Sequence, residues 1–93
     1  MPSEVTIEIL SNQFKPSTVT ITPGTRVVWI NRDNKTHAVD PGTLMEPTSD
    51  FDGSPNLEPN DTFSVTFINA GTINYYCIIH QVNLKQGTII VQP

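Results

Sequence analysis

Apolar and polar residues alternate along most of this chain with a period of two. Strict alternation covers residues 5–9, 18–22 and 63–67, apolar residues recur at every second position in 73–77, and the segments 27–31 and 88–91 are mainly apolar. A period of two places the apolar side chains of a segment on one face, as in a β-strand with one buried side. The pattern therefore predicts a chain built from short strands.

Proline and glycine separate these segments. Breakers occur at 15–16, 22–24, 40–42, 53–55, 58–61, 69–71 and 87. No segment of ten or more residues keeps the 3.6-residue period of a helix. Short strands at this spacing predict an all-β fold, a Greek-key antiparallel β-sandwich. The longest irregular region, 40–59, is expected to be one long crossing loop or a loop around a short edge strand.

Length and charge narrow the function. The chain has 93 residues. A chain of this length is expected to form a single domain, over 1–93, and to act as a monomer. Five Lys and Arg against nine Asp and Glu give a net charge of −4, which argues against binding to nucleic acid. Apolar runs are far shorter than the roughly 20 residues of a membrane span. The N-terminal residues show no signal-peptide pattern.

Three side chains stand out as metal ligands. Apart from the thioethers of its methionines, the chain has only three side chains with a nitrogen or sulfur atom that binds metals well: His37, Cys77 and His80. Cys77 and His80 lie together where a strand is expected to end, and His37 follows the segment 27–31. Loops distant in sequence meet at the end of a sandwich. One thiolate and two imidazoles form the trigonal set that selects copper, usually with a weak axial Met or Gln.

Other interpretations of the same residues remain open. A single buried cysteine is most often a small core residue, and a loop histidine is most often solvated, so a metal-free β-sandwich binding module is the main alternative. Zinc accepts the same donors. A Cys77–His80 nucleophile pair is a further alternative, although the motif has no orienting Asn or Asp and no glycine-rich oxyanion loop nearby.

The sequence resembles the cupredoxins, in their plastocyanin and amicyanin branch. The similarity lies in 27–33 with Thr36-His37, in 51–54 and 57–63, in 75–80 and in 87–91. It implies a type 1 copper protein that transfers single electrons, with His37, Cys77 and His80 as the equatorial ligands. It also implies that the backbone N–H of Ala38 bonds the cysteine sulfur. Asn60 occupies a turn position where the family often has Gly, and Asn is a good substitute in a left-handed conformation.

The axial methionine of that family has no counterpart here. In the plastocyanin pattern C-x2-H-x4-M-x-G, Cys77, His80 and Gly87 match, but the Met position falls on Lys85. A lysine binds a metal only after losing its proton, against an unperturbed pKa of about 10.4. We therefore expect the axial position to be open or occupied by water.

Neighbouring residues do not replace the methionine. Leu84 has no donor atom, Gln86 needs one extra residue in the loop, and nothing places Met45 over the metal. An open position admits small ligands such as water, nitrite or nitric oxide. The sequence thus suggests a possible second activity, the oxidation of nitric oxide to nitrite.

The surroundings of the site suggest how electrons enter and leave. An apolar rim of Ile78, Ile79 and Val82 near His80 suits brief docking of a redox protein, and the acidic balance favours a partner with a basic face. Tyr76 points away from Tyr75 and is either a second electron port or a half-buried strand residue. The resemblance implies an extracytoplasmic location, such as a periplasm, a cell surface or a thylakoid lumen.

Overall fold

The computed structural model describes residues 4–11, 13–43, 45–46, 48–77 and 86–93. Eight strands run through these residues, and no helix occurs in this part of the chain. The strands are β1 (Glu4–Ile9), β2 (Phe14–Lys15), β3 (Thr18–Ile21), β4 (Thr25–Asn31), β5 (Asp40–Pro41), β6 (Thr62–Phe67), β7 (Gly71–Tyr76) and β8 (Gln86–Val91). All six alternating or apolar segments form strands, while the two-residue strands β2 and β5 lie outside them.

Two four-stranded sheets form the sandwich. Their strand orders are β2-β1-β4-β6 and β3-β8-β7-β5. The predicted all-β sandwich is confirmed, with one difference in strand direction: β1 pairs with β4, and β3 with β8, in parallel, while the other pairs are antiparallel. Alternation of apolar residues has the same period in both kinds of pair, so the sequence pattern did not distinguish them.

The core lies between the two sheets and is centred on aromatic rings. Trp29 on β4 and Tyr75 on β7 are fully buried, and their ring centroids lie 5.3 Å apart with the planes 79° apart. Phe14 contacts Tyr75 edge-on, with the centroids 4.6 Å apart. Because Phe14 and Trp29 belong to one sheet and Tyr75 to the other, these contacts join the sheets.

The irregular region 40–59 begins with an edge strand, in agreement with the second of its two predicted forms. Strand β5 pairs with the last two residues of β7, Tyr75 and Tyr76. Further on, Leu57 forms an isolated antiparallel bridge with His37. Asn60 has a φ of 72°, so it takes the left-handed conformation expected from the sequence. These contacts hold the region against the end of the sandwich where β4 and β7 finish.

A membrane-crossing helix is not found in the described part of the chain.

Candidate metal centre

The first predicted ligand, His37, lies in a loop that begins where β4 ends. Its backbone N–H donates to the Leu57 carbonyl at 3.0 Å, and the Leu57 N–H donates back to the His37 carbonyl at 2.7 Å. Two residues further, Val39 and Ser54 are joined by backbone and side-chain hydrogen bonds of 2.8 Å. The backbone on both sides of the imidazole is therefore fixed to the 54–57 segment.

Asn31 fixes the start of the same loop. This side chain is fully buried, and its Nδ2 donates to the carbonyls of Lys35 and Leu57, each at 2.8 Å. Its Oδ1 accepts from the Asp33 N–H at 2.9 Å. An amide has two donor hydrogens and one acceptor oxygen, and all three functions are used here. The loop between β4 and His37 is thus folded around one buried polar group.

Asp33 connects this loop to the imidazole itself. Its Oδ2 lies 2.7 Å from His37 Nε2, and its Oδ1 accepts from the Asn34 N–H at 2.8 Å. The His37 side chain is completely buried, and that of Asp33 is 13% exposed. A carboxylate accepts hydrogen bonds only, so the contact requires a hydrogen on Nε2.

The second predicted ligand, Cys77, follows β7 directly and is fully buried. Its Sγ accepts a hydrogen bond from the Ala38 N–H at 3.4 Å, as the sequence led us to expect. The same sulfur lies 3.9 Å from His37 Nδ1. Two residues that are forty positions apart are therefore adjacent, with their donor atoms facing each other.

This separation suits two ligands of one metal ion. With metal–sulfur and metal–nitrogen lengths of roughly 2.3 and 2.0–2.1 Å, a near-trigonal angle places the two donors about 3.8 Å apart. A soft thiolate and an imidazole are the donors that copper and zinc prefer. The pair fits such an ion in both chemistry and spacing.

Several residues of the sequence prediction lie outside the described residues. These are the third ligand His80, the axial candidates Leu84 and Lys85, and the rim residues Ile78, Ile79 and Val82. Gln86 is described: it is exposed, begins β8 and lies opposite Tyr76. Met45 is 88% exposed.

The two tyrosines that precede Cys77 face opposite sides of β7. Tyr75 belongs to the core, whereas Tyr76 is buried outside the core cluster, beside Asp40 on the edge strand β5. Burial raises the pKa of Tyr75, and burial together with the Asp40 carboxylate raises the pKa of Tyr76. Tyr76 is thus more deeply buried than either sequence interpretation assumed.

The sequence interpretation did not include Asn31 or Asp33 among the residues of the site. Both belong to the segment 27–33 on which the family resemblance rests, but the resemblance alone assigned them no role. A weak signal was present, because a carboxylate four residues before a loop histidine can reach its ring if the loop folds back, as it does here. Polar residues at the end of a strand are so common that this signal has little weight without coordinates.

Comparisons with known proteins agree with this geometry. Residues 2–91 match the family model described as a cupredoxin-like domain. Plastocyanin from Scenedesmus fuscus is 36% identical over 89 residues, which cover 85% of this chain and 86% of that protein. Amicyanin from Paracoccus denitrificans is 27% identical over 90 residues, covering 95% and 65%. A solved purple cupredoxin from Nitrosopumilus maritimus superimposes with a TM-score of 0.81 at 25% identity, covering 94% of this chain and 98% of that one. The chain therefore belongs to the cupredoxins, a family of single-copper electron-transfer proteins.

Proposed function

We propose that this protein is a mononuclear type 1 copper protein that carries single electrons, with His37, Cys77 and His80 as the metal ligands. The observation that supports the proposal most strongly is the 3.9 Å separation of His37 Nδ1 and Cys77 Sγ in a fully buried site. His80 enters through its position three residues after Cys77 in the family motif.

The residues around the two donors suit electron transfer. A bound copper ion supplies the exchange of one electron between Cu(I) and Cu(II). The Ala38 N–H stabilises negative charge on the sulfur, and the bonds from Leu57 and Asp33 hold the imidazole in place. Donors that are held in one position reorganise little when the metal charge changes, which keeps electron transfer fast.

Titration with copper(II) tests this proposal. We expect one equivalent to produce an intense thiolate-to-copper absorption band and a type 1 EPR spectrum. Cys77→Ser should abolish the band. Met45→Leu is the matched control, because it removes an exposed sulfur and should leave the spectrum unchanged. If copper(II) produces no intense band in the wild-type protein, the metal-free binding module is the better interpretation.

We further propose that no protein side chain occupies the axial position. The family motif places Lys85 there, as an ammonium group that does not bind metal. The position of Gln86 supports this assignment. Its side chain is exposed, and it lies on the face of its sheet opposite that of Tyr75 and Gly87, whereas Cys77 belongs to the same buried core as Tyr75. Lys85→Met should restore a thioether and shift the absorption and EPR spectra toward those of ordinary plastocyanins. Gln86→Ala should leave both spectra unchanged; a spectral change in Gln86→Ala with none in Lys85→Met would assign the axial role to Gln86.

An open axial position also supports a small-molecule activity, the oxidation of nitric oxide to nitrite. In this reaction nitric oxide and water give nitrite, two protons and one electron, and the copper(II) centre is the one-electron oxidant. Stopped-flow mixing of the oxidised protein with nitric oxide should bleach the thiolate band and release one nitrite for each copper reduced. Unchanged absorbance under excess nitric oxide would remove this activity, while the electron-carrier proposal would stand.

We propose a transient redox-protein partner with a basic docking face, and an extracytoplasmic location like that of plastocyanin and amicyanin. The net charge of −4 supports the choice of partner, because it attracts a cationic surface over a distance of roughly 10 Å at moderate salt. Oxidation of the Cu(I) protein by a cationic cobalt complex should slow as salt is added. A rate that rises with salt would contradict the proposed charge of the docking face.

A further inference from the structure

We infer that Asp33 is a positioning residue for the metal centre: it fixes the orientation and tautomer of His37 and contributes a negative charge that lowers the reduction potential. The part that concerns the potential rests on the proposed copper function. The part that concerns the orientation and tautomer of His37 requires no bound metal, because it rests on the contact between His37 and Asp33.

The contact is short and enclosed. His37 Nε2 and Asp33 Oδ2 are 2.7 Å apart, the imidazole is completely buried and the carboxylate is 13% exposed. Partial exclusion of water strengthens a charge-assisted hydrogen bond relative to one on the surface. This contact therefore differs from a surface ion pair, whose contribution is small.

Asp33 is itself held on two sides. Its Oδ1 accepts from the Asn34 N–H, and its own N–H donates to the Asn31 Oδ1. Asn31 is in turn anchored to the carbonyl of Leu57, which also accepts from the His37 N–H. The carboxylate and the imidazole are thus fixed to the same frame, so their separation is set by the fold.

This arrangement determines which ring nitrogen is available to a metal. Because the carboxylate only accepts, the hydrogen of a neutral imidazole is placed on Nε2, and the lone pair of the ring is on Nδ1. Nδ1 is the atom that faces Cys77 Sγ at 3.9 Å. Asp33 therefore holds His37 in the tautomer that can bind a metal through Nδ1, and it does so without a metal ion.

The same carboxylate affects the metal electrostatically. A negative charge hydrogen-bonded to a ligand increases the basicity of that ligand and favours the higher oxidation state of the metal. Removal of the charge should consequently favour Cu(I) and raise the reduction potential.

Two substitutions separate the two roles. Asp33→Asn removes the charge and keeps one acceptor oxygen, which can face His37 Nε2 at the expense of the bond from the Asn34 N–H, whereas Asp33→Ala removes the charge and both acceptors. Nitrogen-15 NMR of the reduced, metal-free protein at pH 8 should show His37 protonated at Nε2 alone in the wild type and in Asp33→Asn. In Asp33→Ala, a substantial share of the hydrogen should move to Nδ1, and copper affinity should fall by about 10–100-fold. The reduction potential should rise in both variants.

Glu4→Gln is the matched charge control. Glu4 pairs with Arg26 at the opposite end of β4, so this substitution removes one negative charge far from the site. Its potential and His37 tautomer should equal those of the wild type. The inference is overturned if Asp33→Ala leaves the tautomer unchanged, or if Asp33→Asn shifts the potential no more than Glu4→Gln does. Absence of a copper-dependent absorption band in the wild type would instead overturn the proposed function, since the tautomer measurement requires no metal.

Discussion

At the residue scale, Gly87 leaves the space that the buried ring of Tyr75 occupies in the core. The family motif contains a glycine here, but the motif alone does not explain why. In the structure, Gly87 lies opposite Tyr75 in the β7–β8 pair, and a Cβ at this position would overlap the Cζ and the hydroxyl of that ring. The ring cannot move away easily, because Trp29 and Phe14 pack against it. Glycine is required by the close approach of an aromatic ring.

Gly87→Ala should therefore lower the free energy of unfolding by about 1–3 kcal/mol, the usual cost of an overpacked core. This loss exceeds the gain of about 0.5–1 kcal/mol that alanine gives over glycine in a strand. Urea-induced unfolding measures the difference. The adjacent Gln86→Ala is the control, since Gln86 is exposed and its replacement should change stability by no more than about 0.5 kcal/mol. Equal stabilities for the two variants would contradict the packing argument.

At the element scale, the long strands were predictable from sequence and the short ones were not. The six segments identified by alternation or apolar runs correspond to β1, β3, β4, β6, β7 and β8. Strands β2 and β5 have two residues each, which is too short for a period of two to be recognised. The parallel neighbours of β1 and β3 also escaped prediction, because pairing partners depend on how the whole chain folds.

The loop between β4 and His37 is the element on which the site depends most. Asn31→Ala would leave the carbonyls of Lys35 and Leu57 and the N–H of Asp33 without this partner. We expect a loss of about 1–3 kcal/mol in the free energy of unfolding, together with weaker copper binding. Asn34→Ala is the control, because Asn34 is exposed and should cost no more than about 0.5 kcal/mol. An Asn31→Ala protein of normal stability and copper affinity would show that the loop does not depend on the hydrogen bonds of the Asn31 side chain.

At the scale of the whole molecule, the sandwich places residues from distant segments at one end. The sequence predicted His37 and Cys77 as metal ligands because few residue types bind copper, and the fold places His37 Nδ1 and Cys77 Sγ 3.9 Å apart. Asn31 and Asp33 were not predicted, because their importance comes from hydrogen bonds that exist only after the loop has folded. Candidate metal ligands can thus be predicted from residue types in the sequence, whereas the residues that hold them in place by hydrogen bonds are found only in the folded structure.

The buried tyrosines make the stability of the molecule depend on alkaline pH. Burial raises the folded-state pKa of Tyr75 and Tyr76, so above pH 10 the unfolded chain loses tyrosine protons that the folded chain retains. The free energy of unfolding should then fall as pH rises, by up to about 1.4 kcal/mol per pH unit for Tyr75, and Tyr76 should act in the same direction. Urea-induced unfolding between pH 8 and pH 11 measures this slope. Tyr75→Phe should make the decline shallower by the share of one tyrosine, and identical slopes in the two proteins would contradict the assignment.

The central claim, a copper ion held by one thiolate and two imidazoles without an axial protein donor, is tested most directly by X-ray absorption at the copper edge. The oxidised protein should show one short sulfur neighbour, two imidazole nitrogens and no second sulfur, and Cys77→Ser should lose the sulfur neighbour. A copper environment without sulfur, or one with an additional protein donor that disappears in Gln86→Ala, would contradict the claim.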